Sequence, residues 1–138
     1  MNATTLALLL ALLSGREMPD EAPALERAVR IEGPLRGYDE RGTVAVMLAT
    51  ADEESGFRMD VHGDSGRAKC AMQLWSREDV STPEACMLVA LRNMKESQRM
   101  DAGAPLAQYC GGRDRPAARR MSARRIRKAA ELVRQVGE

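Results

Sequence analysis

A chain of 138 residues has the length of one domain and can bury one sizeable core around a cleft. Hydrophobic residues at 44% and charged residues at 30% exclude the disordered and collagen-like classes, and with one Trp, one Phe and two Tyr the core must come from Leu, Val, Ala and nine Met. The net charge of +1 conceals a split after Gly112: residues 113–138 carry nine Arg or Lys against three Asp or Glu, net +6, and the remainder is net −5.

The uncharged opening, residues 1–15, contains an apolar run over 6–13 that looks like the centre of a secretory signal but lacks a basic flank and an A-x-A cleavage site. The run is too short to span a bilayer as a helix. A first helix over 5–14, buried in the fold, is the preferred expectation, with a signal or anchor as its rival. A loop-like stretch with Pro19, Pro23, Gly33, Pro34 and Gly37 follows, interrupted by a short helix over 24–31.

From Thr43, the apolar residues Val44, Met47, Leu48 and Ala51 keep the spacing of an amphipathic helix, and Gly56 stops it by accepting a left-handed backbone. Residues 57–75, with Gly63 and Gly66, suit turns or a small hairpin. Ser81-Thr82-Pro83-Glu84 forms a capping-box signature that opens a helix to about Gln98. A brief helix over 106–110 is expected before the stop at Gly111-Gly112. Pro116 opens the last helix, where Ile126, Ala129, Val133 and Val136 share one face and arginines crowd the other. These elements predict a mainly α (α+β) fold over residues 1–138 as one domain, with at most a small β-hairpin.

Three cysteines, Cys70, Cys86 and Cys110, have no C-x-x-C pair and one histidine, His62, beside them, so no metal and no cofactor is expected. A disulfide between two of the three stays open. Gly63-Asp64-Ser65-Gly66 echoes the serine-protease nucleophile, but His62 lies three residues from Ser65 and cannot act as the base of a triad. A glycine-rich turn accounts for that segment.

Glu54-Ser55-Gly56-Phe57 puts a carboxylate at the C-terminal end of an apolar helix, where Met, Leu and Phe neighbours would desolvate it. Desolvation disfavours the charged form, as a general acid near neutral pH requires. Ala71-Met72-Gln73-Leu74 follows about twenty residues on, and Leu106-Ala107 precedes Tyr109-Cys110-Gly111-Gly112 after the next helix. Together the three segments resemble, in order, the Glu-Ser, Gly-Leu-Met-Gln and Ala-Tyr-Asn-x-Gly motifs of the lytic transglycosylase and goose-type lysozyme group.

The resemblance spans the motif-bearing core, residues 43–112, and implies a lysozyme-like domain that cleaves peptidoglycan glycan strands at the β-1,4 bond after N-acetylmuramic acid, acting in the cell envelope, periplasm or extracellular space. It implies Glu54 as the catalytic acid, with Ser55, Met72 and Gln73 on the substrate side and the Tyr109 hydroxyl directed at the glutamate; Trp75 is a candidate platform for stacking a sugar ring, against the plainer reading of core packing. Glu53 is the rival acid, less favoured because the motif serine follows the acid directly. Cys70 or Ala71 replaces the family glycine and Cys110 the usual asparagine, so the alternative is an inactive lysozyme-like domain that binds glycan or protein. A hydrolase would need a second carboxylate, for which Asp60 and Asp64 are the nearby candidates. The basic helix over 113–138 could bind an anionic polymer, against the plainer reading of a solvated outer face.

Overall fold

The computed structural model describes Gly15, residues 21–56, Met59, Gly63 and residues 69–136. The signal or first helix expected over 5–14 lies outside the described residues, as do Phe57, Asp60, His62, Asp64, Ser65 and Gly66. Four helices follow in order: α1 (Glu21–Glu32), α2 (Glu40–Ser55), α3 (Pro83–Met100) and α4 (Pro116–Val136). An isolated antiparallel bridge joins Lys69 and Leu74 and no strand is described, so the described residues are mainly helical.

Local chemistry explains where each helix starts and stops. The first begins three residues before the expected position, with Glu21 in the first turn complementing the helix dipole. In α2 the Asp39 carboxylate caps the start by accepting the Gly42 amide at 2.7 Å. The end is closed by Gly56 at φ 63°, whose amide reaches the carbonyls of Ala51 and Asp52. The amphipathic stripe expected on α2 is an understatement, since every residue from Thr43 to Ala51 is buried and the helix runs through the centre of the fold. Its threonines tolerate burial by bonding locally: the Thr50 hydroxyl donates to the Val46 carbonyl at 2.9 Å.

Thr82, not Ser81, caps α3, its hydroxyl accepting the Ala85 amide at 3.2 Å with Pro83 in the first turn. Helix α1 lies against α3 and α2 against α4, with a smaller α1–α2 contact. Met47, Met72, Met87 and Met94 are fully buried and take the space aromatics occupy in other cores. The α1–α3 seam is sealed at its edge by Arg92 Nε donating to Glu32 Oε1 at 2.6 Å.

Two expectations need correction. Residues 106–110 form consecutive turns instead of a short helix. Hydroxyls from flanking helices take the backbone amides there: Leu106 N donates to Ser122 Oγ at 2.9 Å and Tyr109 N to Ser97 Oγ at 3.1 Å. On α4, the expected apolar face holds Ala129, with Ile126, Val133 and Val136 partly buried, but Ser122 and Arg125 are buried on it too. Charge alone had assigned Arg125 to solvent.

Candidate functional site

The site is organised around a tight hairpin. Lys69 and Leu74 exchange backbone hydrogen bonds of 3.0 and 2.7 Å across the loop Cys70-Ala71-Met72-Gln73. To turn so sharply, Cys70 and Gln73 take left-handed backbones at φ 62° and 48°, a conformation costly for residues with a side chain and maintained only by strong surroundings. Those surroundings come from other segments. The Ser55 hydroxyl, just past the end of α2's apolar run, donates to the Ala71 carbonyl at 2.6 Å. The Tyr109 hydroxyl, from the turns after α3, donates to the Met72 carbonyl at 2.8 Å. Cys70 is joined by a disulfide to Cys86 in the first turns of α3, and Cys110 remains a free thiol.

Beside the hairpin lies a cleft of about 880 Å³, lined by Glu54 from α2, Gln73, Leu74 and Trp75 from the hairpin, Asn93, Glu96 and Ser97 from α3, and Gln108, Tyr109 and Cys110 from the turns, with Gly63, Gly111, Arg115 and Met121 completing it. Trp75 lines the cleft and is 59% exposed. The Gln73 amide donates to the Cys70 carbonyl at 2.8 Å and accepts the Gly63 amide at 3.0 Å, which fixes its orientation.

Of the residues expected at the site, Glu54, Gln73, Trp75 and Tyr109 therefore share one cleft. Ser55 and Met72 do not line it. The Ser55 hydroxyl is engaged by backbone and the Met72 side chain is fully buried in the core, so both hold the hairpin instead of facing the cleft. The Tyr109 hydroxyl goes to Met72, not to Glu54, because the hairpin presents a buried carbonyl that needs a donor.

The surroundings of Glu54 also differ from expectation. Its carboxylate pairs with Arg125, whose Nη2 donates to Glu54 Oε1 at 2.7 Å. The neighbouring Glu53 lies away from the cleft and accepts from Arg125 Nε at 2.9 Å and from Arg124 Nε and Nη2 at 2.9 and 3.2 Å. Burial pushes the Glu53 carboxyl up, and the hydrogen bonds and charges of the two arginines outweigh it, leaving its pKa lowered. The third acid of the triplet, Asp52, pairs with Lys128.

Sequence reasoning missed this seam, although a signal existed. Asp52, Glu53 and Glu54 crowd the last turn of α2, the negative end of its dipole, where acids are unfavourable unless cations face them. Arg124, Arg125 and Lys128 of α4 are those cations, so part of the charge split across Gly112 is an internal match. Two other cleft groups respond to this environment. Burial, aided by the Glu54 charge and opposed by Arg125, pushes the Tyr109 phenol well above its ordinary value. Burial likewise drives the Cys110 thiol up to about 11, against the pull of Arg125, so it is a poor nucleophile near neutral pH.

Among the described residues no three His, Cys, Asp or Glu side chains gather as a metal site, and no helix is long and apolar enough to cross a membrane. Comparison with protein-family models, with curated proteins and with solved structures finds no match.

Proposed function

We propose that this chain is a lysozyme-like lytic transglycosylase of the cell envelope, cleaving peptidoglycan glycan strands after N-acetylmuramic acid with Glu54 as the general acid and base. The observation that carries this reading is the meeting of three separate segments on one cleft. Glu54, Gln73 with Trp75, and Tyr109 come together there, while Ser55 and Tyr109 hydrogen-bond to the hairpin's backbone. Protonated on the oxygen that Arg125 does not hold, Glu54 gives its proton to the glycosidic oxygen as the bond to the muramoyl C1 breaks. The resulting carboxylate then takes the proton of the muramoyl C6 hydroxyl, whose oxygen closes on C1 and leaves a 1,6-anhydro end.

One carboxylate serves both steps. A retaining hydrolase would use a second about 5 Å away. Glu53 does not line the cleft and is held by two arginines, and Asp60 and Asp64 lie outside the described residues. The exposed Trp75 ring suits stacking against the apolar face of a sugar. In zymography on purified cell wall, wild type is expected to clear the gel and Glu54→Gln to leave it intact, with anhydro ends in the mass spectrum of the digest. Equal clearing by both proteins would overturn the assignment.

Two other readings rest on particular observations. The ion pair on Glu54, with Cys70 or Ala71 and Cys110 at departed positions, favours a domain that binds glycan without cutting it; wild type would then bind cell wall and clear nothing. Arg120 and Arg127 are exposed on α4 with no ion pair among the described residues, which favours contact with an anionic polymer through residues 113–138. Retention on heparin that Arg120→Gln/Arg127→Gln does not weaken would sink that reading.

A further inference from the structure

Arg125 is the largest of the fully buried side chains, 1% exposed, on a helix whose other arginines reach solvent. Burying a guanidinium is expensive, and an apolar residue of similar volume often stabilises as well or better. The geometry also leaves Nη1 buried without a hydrogen-bond partner, so the site is not arranged for the greatest stability of the arginine itself. What the arrangement does achieve is a relay of fixed groups. Arg124 grips both oxygens of Glu53. Glu53 in turn accepts from Arg125 Nε, which orients the planar guanidinium, and its Nη2 holds Glu54 Oε1. That is the one hydrogen bond to the Glu54 carboxylate among the described residues; Oε2, on a residue that lines the cleft, has no donor among them.

We infer that Arg125 is the positioning residue for Glu54, fixing which carboxylate oxygen meets the substrate, with Glu53 and Arg124 as its anchor. The inference rests on the reading of Glu54 as the acid. Arg125 does not line the cleft, so it acts through the glutamate and not on the ligand. As the proton leaves Oε2, the negative charge that grows on the carboxylate is already faced by a fixed guanidinium that requires no reorganisation. A lysine could neutralise one carboxylate but could not span both with a rigid fork.

The test uses the full chain and follows turnover of purified peptidoglycan. Affinity is followed separately through the fluorescence of Trp75, the only tryptophan, on titration with chitotetraose. Arg125→Met is expected to lower kcat by about 100-fold, the scale of an ångström's misplacement of a reacting group, with KM and the chitotetraose affinity unchanged. Arg125→Lys should recover part of the loss, and Glu53→Gln, which weakens the anchor but keeps Arg125 and Glu54, should fall between wild type and Arg125→Met. Should Arg125→Met fail to fold, as judged by circular dichroism, Arg125→Lys and Glu53→Gln carry the comparison. Wild-type kcat in the folded Arg125 variants, or a loss that falls on KM and affinity instead, overturns the positioning role while Glu54→Gln stays inactive. Activity in Glu54→Gln equal to wild type, or none in wild type, overturns the reading of Glu54 and the positioning role with it.

Discussion

Opening the Cys70–Cys86 disulfide perturbs the cleft wall without altering a residue that faces a ligand. The bridge ties the Gln73-bearing hairpin to the start of α3 across a sequence separation of 16. Treating its effect as loop-closure entropy in the unfolded chain, a loop of that length contributes about 3 kcal/mol at 25 °C. With an unfolding entropy of about 2.1 cal/mol/K per residue, a 138-residue chain loses about 10 °C of melting temperature for that change. Reduction keeps both sulfurs in the core, where Cys70 and Cys86 are 2% and 0% exposed, so no cavity is added to the entropic effect. The assay is thermal unfolding by circular dichroism with and without dithiothreitol in a Cys110→Ser background, which removes the free thiol that could exchange. Cell-wall clearing is measured on the same samples. Because Cys70 and Gln73 hold left-handed backbones, release of one anchor should also lower clearing, as Gln73 and Trp75 lose their fixed direction. A melting shift below about 3 °C, one kcal/mol or less on this scale, would refute the loop-entropy reasoning. An unchanged clearing rate would mean that Ser55 and Tyr109 hold the hairpin by themselves.

Two further outcomes are expected. Since the Glu53 carboxyl is lowered from its ordinary 4.5 in the folded state, it contributes stability that is fully present above that pH and is lost as pH falls through the folded value. The melting temperature should drop below about pH 4.5, and Glu53→Gln should flatten that slope; identical profiles for the two proteins would contradict the ion-pair assignment. Tyr109→Phe removes the donor to a buried Met72 carbonyl, which should cost about 1–3 kcal/mol in urea unfolding and reduce clearing through the hairpin, whereas unchanged stability would place the hydroxyl elsewhere.

The features legible from the chain alone are local. The apolar spacing from Val44 to Ala51 and the left-handed stop at Gly56 depend on contacts within a few residues, and the helix begins and ends near the expected places. The same holds for Pro116 at the start of α4 and for the class of the fold, because periodicity and caps act over one or two turns. The spacing of Glu54, Gln73 and Tyr109 was visible as a pattern, but their arrival at one cleft required the whole packing of α2 against the hairpin and the turns. The choice between Ser81 and Thr82 as cap depended on which hydroxyl reaches the Ala85 amide. The turns at 106–110 are pinned by Ser122 and Ser97, distant in sequence, whose hydroxyls accept the Leu106 and Tyr109 amides. Arg125 is the clearest case. A charged residue among arginines reads as solvated, and only the docking of α4 beside the acidic end of α2, which supplies two carboxylates to one guanidinium, makes its burial affordable.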